Sequence, residues 1–155
     1  MNTKTVEKLE WFLAGTGIAE EDKNSIIDLM EEYVQQQLSS AEQLLPVIEK
    51  VFGPGAAKGC AERLRQIQVE GWTPEHDDLS TDGSLSLASA MYIMSEEQRL
   101  EELSKTNDPM VPPTGWPWLV EYWKPTPDNR IRELEKGIAL GMAEIDRLER
   151  KEEQK

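Results

Sequence analysis

The sequence predicts an all-α protein, a compact bundle of five or six helices with one ordered loop rich in tryptophan and proline. Apolar residues recur at three- and four-residue spacing through most of the 155 positions, which is the spacing of a buried helix face. No segment alternates apolar and polar residues over the length of a strand. Glycine and proline interrupt the helical pattern, above all at Gly53-Pro54-Gly55, and these breaks separate the predicted helices.

The N-terminal third predicts three helices, over residues 4–14, 19–38 and 40–52. Ser39 followed by Glu42 matches a capping box and marks the start of the third helix. The break at residues 53–55 divides the chain into an acidic N-terminal helical segment, residues 1–54, and a helical module, residues 55–155, that carries the site. We expect residues 1–54 to provide a surface for a partner or for a homo-oligomer.

The module predicts three further helices, over residues 56–70, over residues 83–104, and from Thr126 towards the C-terminus. Gly71 suits the C-terminal cap of the first of these helices. Thr126 suits the N-terminal cap of the last helix, and Pro127 suits its first position.

The last helix is expected to bury one apolar seam, formed by Ile131, Leu134, Ile138, Ile145 and Leu148. Gly137 and Gly141 lie four residues apart, so they share a helix face on which another helix can approach closely.

The charge balance limits the classes of partner. The net charge is −13, and binding to a nucleic-acid backbone requires positive charge, so we expect no direct contact of that kind. No apolar run approaches the roughly 20 residues that a membrane helix needs. The first residues lack the apolar core of a signal peptide, and the single cysteine, Cys60, cannot form an internal disulfide. These features predict a cytoplasmic protein with no membrane partner.

Acidic residues crowd the segment from Glu70 to Asp78, which also holds the only histidine, His76. Carboxylates are preferred ligands of Mg²⁺, and Glu70, Asp77 and Asp78 are the candidate metal ligands. Gly71 and Pro74 are expected to keep this segment out of a helix. The alternative is a structural loop in which the carboxylates cap a helix and the imidazole bonds to the backbone.

Aromatic residues crowd a second segment, from Gly115 to Pro125. Trp116, Trp118 and Trp123 offer rings that can stack on a planar ligand. The alternative is that these tryptophans only fasten the loop to a small core.

Cations follow the aromatic segment directly, namely Lys124, Arg130, Arg132 and Lys136. Together with the positive end of the last helix they are candidates to bind a phosphate. The alternative is ion pairing with the acidic residues nearby. Because crowded carboxylates need nearby cations, we expect the Glu70–Asp78 and Trp116–Lys124 loops to meet and form one site.

Four segments together resemble a group of small phage and prophage proteins: ERLRQIQVEGWTPEHDD, the helix start Gly-Ser-Leu-Ser, GWPWLVEYWKP and KGIALGMAEIDRL. The resemblance covers about residues 60–150 and implies a phage-encoded protein of the host cytoplasm. The relatives carry a glutamate at the position of Ser84, and its absence here argues against metal-dependent catalysis. A weaker resemblance, at the level of the fold, is to the MazG-like all-α pyrophosphohydrolases. Their paired carboxylates are not matched in spacing by Glu97 and Glu101, nor by Glu144 and Asp146.

Three hypotheses of function follow. In the first, a phage-encoded protein holds or sequesters a phosphorylated small molecule, a nucleotide or a nucleotide-derived immune signal, in counter-defence and without catalytic residues or cofactor. Its expected ligand-binding residues are His76, Asp77, Trp116, Trp118, Trp123, Lys124, Arg130 and Lys136. In the second, the protein is a Mg²⁺-dependent nucleoside triphosphate pyrophosphohydrolase that uses the three candidate metal ligands. In the third, it is an acidic interaction protein or nucleic-acid mimic that inhibits a host factor.

Overall fold

The structure, a computed structural model, describes residues 11, 13, 14 and 19–154. Within these residues it contains α-helices and no strand, so the predicted all-α class is confirmed. In chain order the six helices are α1 (Glu20–Phe52), α2 (Pro54–Arg65), α3 (Pro74–Asp77), α4 (Ser84–Ile93), α5 (Glu96–Thr106) and α6 (Arg130–Glu153). Most of the helix predicted at residues 4–14 lies outside the described residues.

Helix α1 is one continuous element of 33 residues, where the sequence predicted two helices. The capping pattern at Ser39 and Glu42 is not used, because the backbone there stays helical on both sides. Pro46 lies inside the helix and does not end it. The helix ends at Gly53, whose φ of 90° is open to glycine and to few other residues.

The break predicted at residues 53–55 is present, since α2 begins at Pro54 directly after Gly53. Helix α1 packs against α2, and α2 packs in turn against α6. The division of the chain into an N-terminal segment, residues 1–54, and a module, residues 55–155, stays a prediction.

The helix predicted over residues 83–104 is two helices, α4 and α5, with the break at Met94 and Ser95. The backbone N–H of Gln98 donates to the Ser95 hydroxyl oxygen over 3.2 Å, and the Ser95 N–H donates to the Gln98 side chain over 3.0 Å. This reciprocal pair is a capping box, and it starts α5 where the apolar spacing alone suggested an unbroken helix.

Helix α6 begins at Arg130, later than predicted. Its N-terminal cap is Asn129, whose side-chain oxygen accepts a hydrogen bond of 3.1 Å from the backbone N–H of Arg132. Thr126 does not cap the helix, because its hydroxyl and its backbone N–H both donate to the Glu133 carboxylate inside the bundle.

The buried face of α6 is not the predicted apolar seam. Ile131 and Ile145 are 57% and 58% exposed, and Ile138 and Leu148 are also exposed. The helix instead buries a stripe of small and charged residues, Glu133, Lys136, Gly137, Ala139, Ala143, Glu144 and Arg147.

The small residues of this stripe allow α4 to pack closely on α6. Ala88 of α4 and Ala139 and Ala143 of α6 are fully buried. The Ser89 hydroxyl donates to the Gly137 carbonyl oxygen over 2.7 Å. A Cβ atom at Gly137 would lie 3.1 Å from the Ser89 backbone oxygen, so the predicted close approach of another helix is confirmed.

Residues 107–129 connect α5 to α6 with one short 3₁₀ turn, Val120–Tyr122. This is the segment rich in tryptophan and proline that the sequence predicted. None of the described helices combines the length and the apolar character that crossing a bilayer would require.

Candidate functional site

One pocket lies where the two predicted loops meet, and it encloses about 660 Å³ including its open mouth. Residues from α2 and the acidic segment form one side, residues from the aromatic segment form the other, and α4 and α6 supply the base. The expectation that the two loops come together is therefore confirmed. Of the expected ligand-binding residues, the pocket is lined by His76, Asp77, Trp116, Trp118, Lys124 and Lys136.

A π-helical turn directs the acidic segment into the pocket. Helix α2 continues into this turn, Gln66–Glu70, and ends at Gly71, whose φ of 74° is left-handed. Thr73 then caps the short helix α3, with Pro74 in its first turn, so Pro74 starts a helix that the sequence did not predict. The result is that Trp72 and, from α3, His76 and Asp77 face the same cavity.

Aromatic rings form the upper wall of the pocket. Trp72 contacts the His76 ring edge to face at 4.5 Å between centroids, and it contacts Tyr122 from the opposite loop at 5.7 Å. Trp116 and Trp118 meet edge to face at 5.3 Å. Such a wall provides apolar area with ring edges and faces at several orientations. Neither Trp72 nor Tyr122 is among the ligand-binding residues predicted from the sequence.

Trp123 does not line this pocket, although the sequence placed it there. Its ring is buried and stacks on Tyr92 at 4.7 Å between centroids. Its Nε1–H donates to the Pro109 carbonyl oxygen over 3.2 Å, and the ring lines a second depression on the other side of the loop. Trp123 therefore fastens the aromatic loop to α4, as the structural alternative predicted.

Arg130 is also absent from the pocket. Its guanidinium donates to the carbonyl oxygens of Tyr92, Ile93 and Met94, at 2.9, 2.8 and 2.6 Å. These carbonyls belong to the C-terminal end of α4, where a cation satisfies unpaired acceptors and the negative end of the helix dipole. Arg130 is a helix cap, and its hydrogen-bond donors are used within the protein.

Three of the four carboxylates of the acidic segment are each held by a different arginine. Asp77, which is buried, pairs with Arg63. Glu70 accepts from Arg65 over 2.5 Å, and Asp78 accepts from Arg150 over 2.8 Å.

These separate pairs do not assemble a metal site. In the described part of the chain no three histidine, cysteine or acidic side chains are grouped so as to hold a metal ion. The candidate ligands Glu70, Asp77 and Asp78 thus do not fit a common Mg²⁺, because each carboxylate is directed to its own guanidinium.

The protonation of the pocket carboxylates follows from their surroundings. Burial raises the pKa of the Asp77 carboxyl, and the contact with Arg63 only partly offsets this. Burial acts in the same direction on Glu62, but hydrogen bonds from Arg65 and Arg132 outweigh it and hold the pKa of Glu62 below its ordinary value. Glu62 is therefore a buried anion that fixes the two guanidinium groups beside the pocket.

Lys136 is the buried cation at the base of the pocket. It is 9% exposed, and its Nζ donates to the Lys124 carbonyl oxygen and, over 3.4 Å, to the Thr126 hydroxyl oxygen. No carboxylate of the described residues pairs with it, and Glu133 acts on it only through space. Burial lowers the pKa of Lys136 below its ordinary value.

Two other groups complete the base of the pocket. The Tyr92 hydroxyl accepts a hydrogen bond of 3.0 Å from the Lys124 backbone N–H, and burial raises the pKa of Tyr92 to about 12. The Lys136 Nζ lies 5.6 Å from the centroid of the Tyr92 ring, close enough for a cation–π contact. The Lys124 side chain lines the pocket and is exposed, with no carboxylate partner among the described residues.

Some site residues carry a signal in the sequence that went unused. Glu62 and Arg65 lie three apart on one helix, which is the spacing of an ion pair, and Trp72 adjoins the acidic segment. Tyr92 carries no such signal, because its place at the pocket depends on the packing of α4 against α6.

Comparison of the chain with protein-family models, with curated proteins and with solved structures finds no match. The resemblance of four segments to small phage and prophage proteins therefore stays a prediction.

Proposed function

We propose that this protein binds a small phosphorylated ligand that carries a planar ring, a chemistry that nucleotides provide. The observation that carries the proposal is Lys136, a buried ammonium group at the pocket wall without a carboxylate partner among the described residues. A buried charge is costly unless an opposite charge compensates it. A phosphate entering the pocket supplies that compensation at Lys136 and, at the rim, meets Lys124.

The aromatic wall supports the second half of the ligand. Trp72, Trp116, Trp118 and Tyr122 surround the cavity with ring faces and edges. A nucleobase is flat and apolar on both faces, so it gains contact area between such rings whatever its hydrogen-bonding edge. An aliphatic phosphate would leave most of this wall uncovered.

Polar groups next to these rings supply hydrogen-bond partners for a sugar or for the edge of a base. Asp77 is fixed by Arg63, and His76 lies beside it against the Trp72 ring. A carboxylate accepts hydrogen bonds from hydroxyl or amino groups, and an imidazole can donate or accept.

Binding is favoured over turnover because the pocket carboxylates are already engaged. Asp77, Glu62 and Glu70 each accept from an arginine, which leaves none of them placed to hold Mg²⁺ or to activate water. Sequestration of the ligand by a phage-encoded protein is the finer form of the proposal, and its support is the sequence resemblance alone.

The proposal is tested by titrating the full chain with a panel of nucleotides while following tryptophan fluorescence and thermal stability. We expect saturable quenching by at least one nucleotide, since three of the five tryptophans line the pocket. Lys136→Met and Lys124→Ala should each weaken that response at least about tenfold, because each removes a charge that meets the phosphate. Lys105→Ala is the matched control, because this exposed lysine pairs with Glu102 on α5, outside the pocket.

The other hypotheses have their own readouts in the same samples. Release of pyrophosphate from nucleoside triphosphates with Mg²⁺, lost in Asp77→Ala, would establish the enzyme. If no nucleotide at millimolar concentration changes fluorescence or melting temperature, the ligand-binding proposal fails. Retention of a host protein by the chain under those conditions would then favour the acidic interaction protein.

A further inference from the structure

We propose that the pocket selects a terminal phosphomonoester in its doubly charged form and takes it up without a divalent cation. The inference rests on the proposed function and names its substrate class, a nucleoside monophosphate or a compound with the same end group.

Two cations of the pocket are left without a carboxylate. Of the four basic residues that line it, Arg63 pairs with Asp77, and Arg65 pairs with Glu62 and Glu70. Lys124 and Lys136 pair with no carboxylate among the described residues. The pocket therefore offers two positive charges to a ligand.

The two lysines are in contact. The Lys136 Nζ donates to the backbone carbonyl oxygen of Lys124, so the buried ammonium touches the residue that carries the second one. Both residues line the pocket, and we expect one group with two negative charges to meet both of them there. A phosphomonoester carries between about −1.5 and −2 at pH 7, whereas a phosphodiester carries a single charge.

The acidic groups of the pocket disfavour a metal-bound triphosphate. Mg²⁺ that accompanies a triphosphate usually gains one or two carboxylate ligands from its protein. Here Glu62, Glu70 and Asp77 are bonded to guanidinium groups, and freeing one would leave a buried or partly buried arginine unpaired. Without Mg²⁺, a triphosphate brings more negative charge into the pocket than the two uncompensated lysines can neutralise.

The experiment compares ligands that share a base and a sugar. Calorimetric titrations at pH 7.5 in EDTA use each of the four common nucleoside 5′-monophosphates and its 3′,5′-cyclic counterpart, which differ in the charge of one phosphate. We expect at least one monophosphate to bind, and to bind about tenfold or more tightly than its cyclic form. Lys124→Ala should reduce this ratio, and Lys105→Ala should leave it unchanged.

Titrations with further ligands distinguish failure of this inference from failure of the proposed function. Equal or tighter binding of a cyclic form, or of a triphosphate only when Mg²⁺ is present, would overturn the inference and leave the proposed function standing. Absence of binding by every nucleotide, including triphosphates with Mg²⁺ and dinucleotides with two diester groups, would overturn both. Tighter binding by a dinucleotide than by any monophosphate would show that two separated diesters, and not one dianion, meet the lysines.

Discussion

The two long faces of α6 differ in polarity, and the more polar face is the buried one. The inner face, packed on α4 and against the pocket, carries Glu133, Lys136 and Arg147 between alanines. The outer face carries Ile131, Ile138, Ile145 and Leu148, all exposed. The residues that α6 buries are therefore charged or small, and its large apolar residues stay exposed.

The charged residues of the inner face are of two kinds. Some have a partner of opposite charge, and one has none among the described residues. Glu133 accepts from Arg99 over 2.5 Å and from Thr126, and Arg147 pairs with Glu144 at 2.7 and 2.9 Å. Lys136 bonds only to neutral oxygens among the described residues. Compensated positions are expected to determine stability, and the uncompensated position is expected to determine ligand affinity.

The largest effect is expected for Glu133→Gln on the inner face. The change leaves Arg99 without its partner in a place from which water is largely excluded, so we expect a loss of about 3 kcal/mol in the free energy of unfolding at pH 7. Glu149→Gln is the outer-face control on the same helix, where the exposed side chain should contribute less than about 0.5 kcal/mol. Urea unfolding of both variants measures the difference.

The pH dependence of Glu133→Gln provides a second readout. Burial raises the pKa of Glu133, but Arg99 and Thr126 outweigh burial and hold it below the ordinary value of 4.5. A lowered folded-state pKa gives stability that is complete above 4.5 and is lost as pH falls through the folded value. The gap between wild type and variant should therefore close in acid, and a gap that is constant from pH 7 to pH 3 would contradict this explanation.

The next effect is expected where α4 crosses α6. Gly137→Ala places a Cβ atom 2.5 Å from the Ile93 side chain and 3.1 Å from the Ser89 backbone oxygen, so the Ile93 side chain must move or the helices must separate. We expect a loss of about 1–3 kcal/mol in spite of the better helix propensity of alanine. Gly141→Ala is the matched control, because its Cβ would meet only the Ser89 hydroxyl at 3.3 Å. If the two variants unfold at the same urea concentration, the close crossing does not contribute to stability.

The contrast between the faces also explains which parts of the fold the sequence could predict. Two stripes on α6 have helical spacing, the isoleucine seam and the stripe through Glu133, Lys136 and Ala143. Periodicity locates both stripes and does not say which of them is buried. The choice depends on Arg99 and on the small residues of α4, which lie far away in the sequence. The all-α class and the boundary at Gly53 were accessible because they depend on local spacing and on a glycine–proline break.

The sequence also predicted part of the candidate site. Local crowding of acids and rings identified both loops, and the need of the acids for cations led to Lys124 and Lys136. The same reasoning also selected Arg130, which instead caps the end of α4. The sequence alone does not distinguish a cation that binds a ligand from one that caps a helix. Two of the arginines that hold the carboxylates, Arg63 and Arg65, lie on the helix just before the acidic segment, and the third, Arg150, lies near the end of α6; none of them was predicted as a partner.

A smaller effect on stability is expected for Lys136→Met. Methionine keeps the unbranched shape and removes a desolvated charge, so at pH 7 we expect a change of about 1 kcal/mol or less, or a gain. Burial lowers the pKa of Lys136 below 10.5, so between the lowered value and 10.5 the unfolded wild type binds more protons and its stability rises with pH. Any advantage of the variant should accordingly shrink from pH 7 to pH 10 in urea unfolding. A loss as large as that of Glu133→Gln would show that Lys136 is a structural residue.

The smallest effect is expected for Ile145→Gln on the outer face. A side chain that is 58% exposed loses little contact on replacement, so the free energy of unfolding at micromolar concentration should change by less than about 0.5 kcal/mol.

Ile131, Ile138 and Ile145 are nevertheless seven residues apart, which is the spacing of a seam between two helices. The homo-oligomer predicted from the sequence is tested in the same samples by light scattering over a range of concentrations. If copies associate through this seam, the wild type gains stability as its concentration rises and Ile145→Gln does not, because association stabilises the folded chain by mass action. A monomer at all concentrations, with the two proteins equally stable throughout, would confine the role of α6 to its inner face.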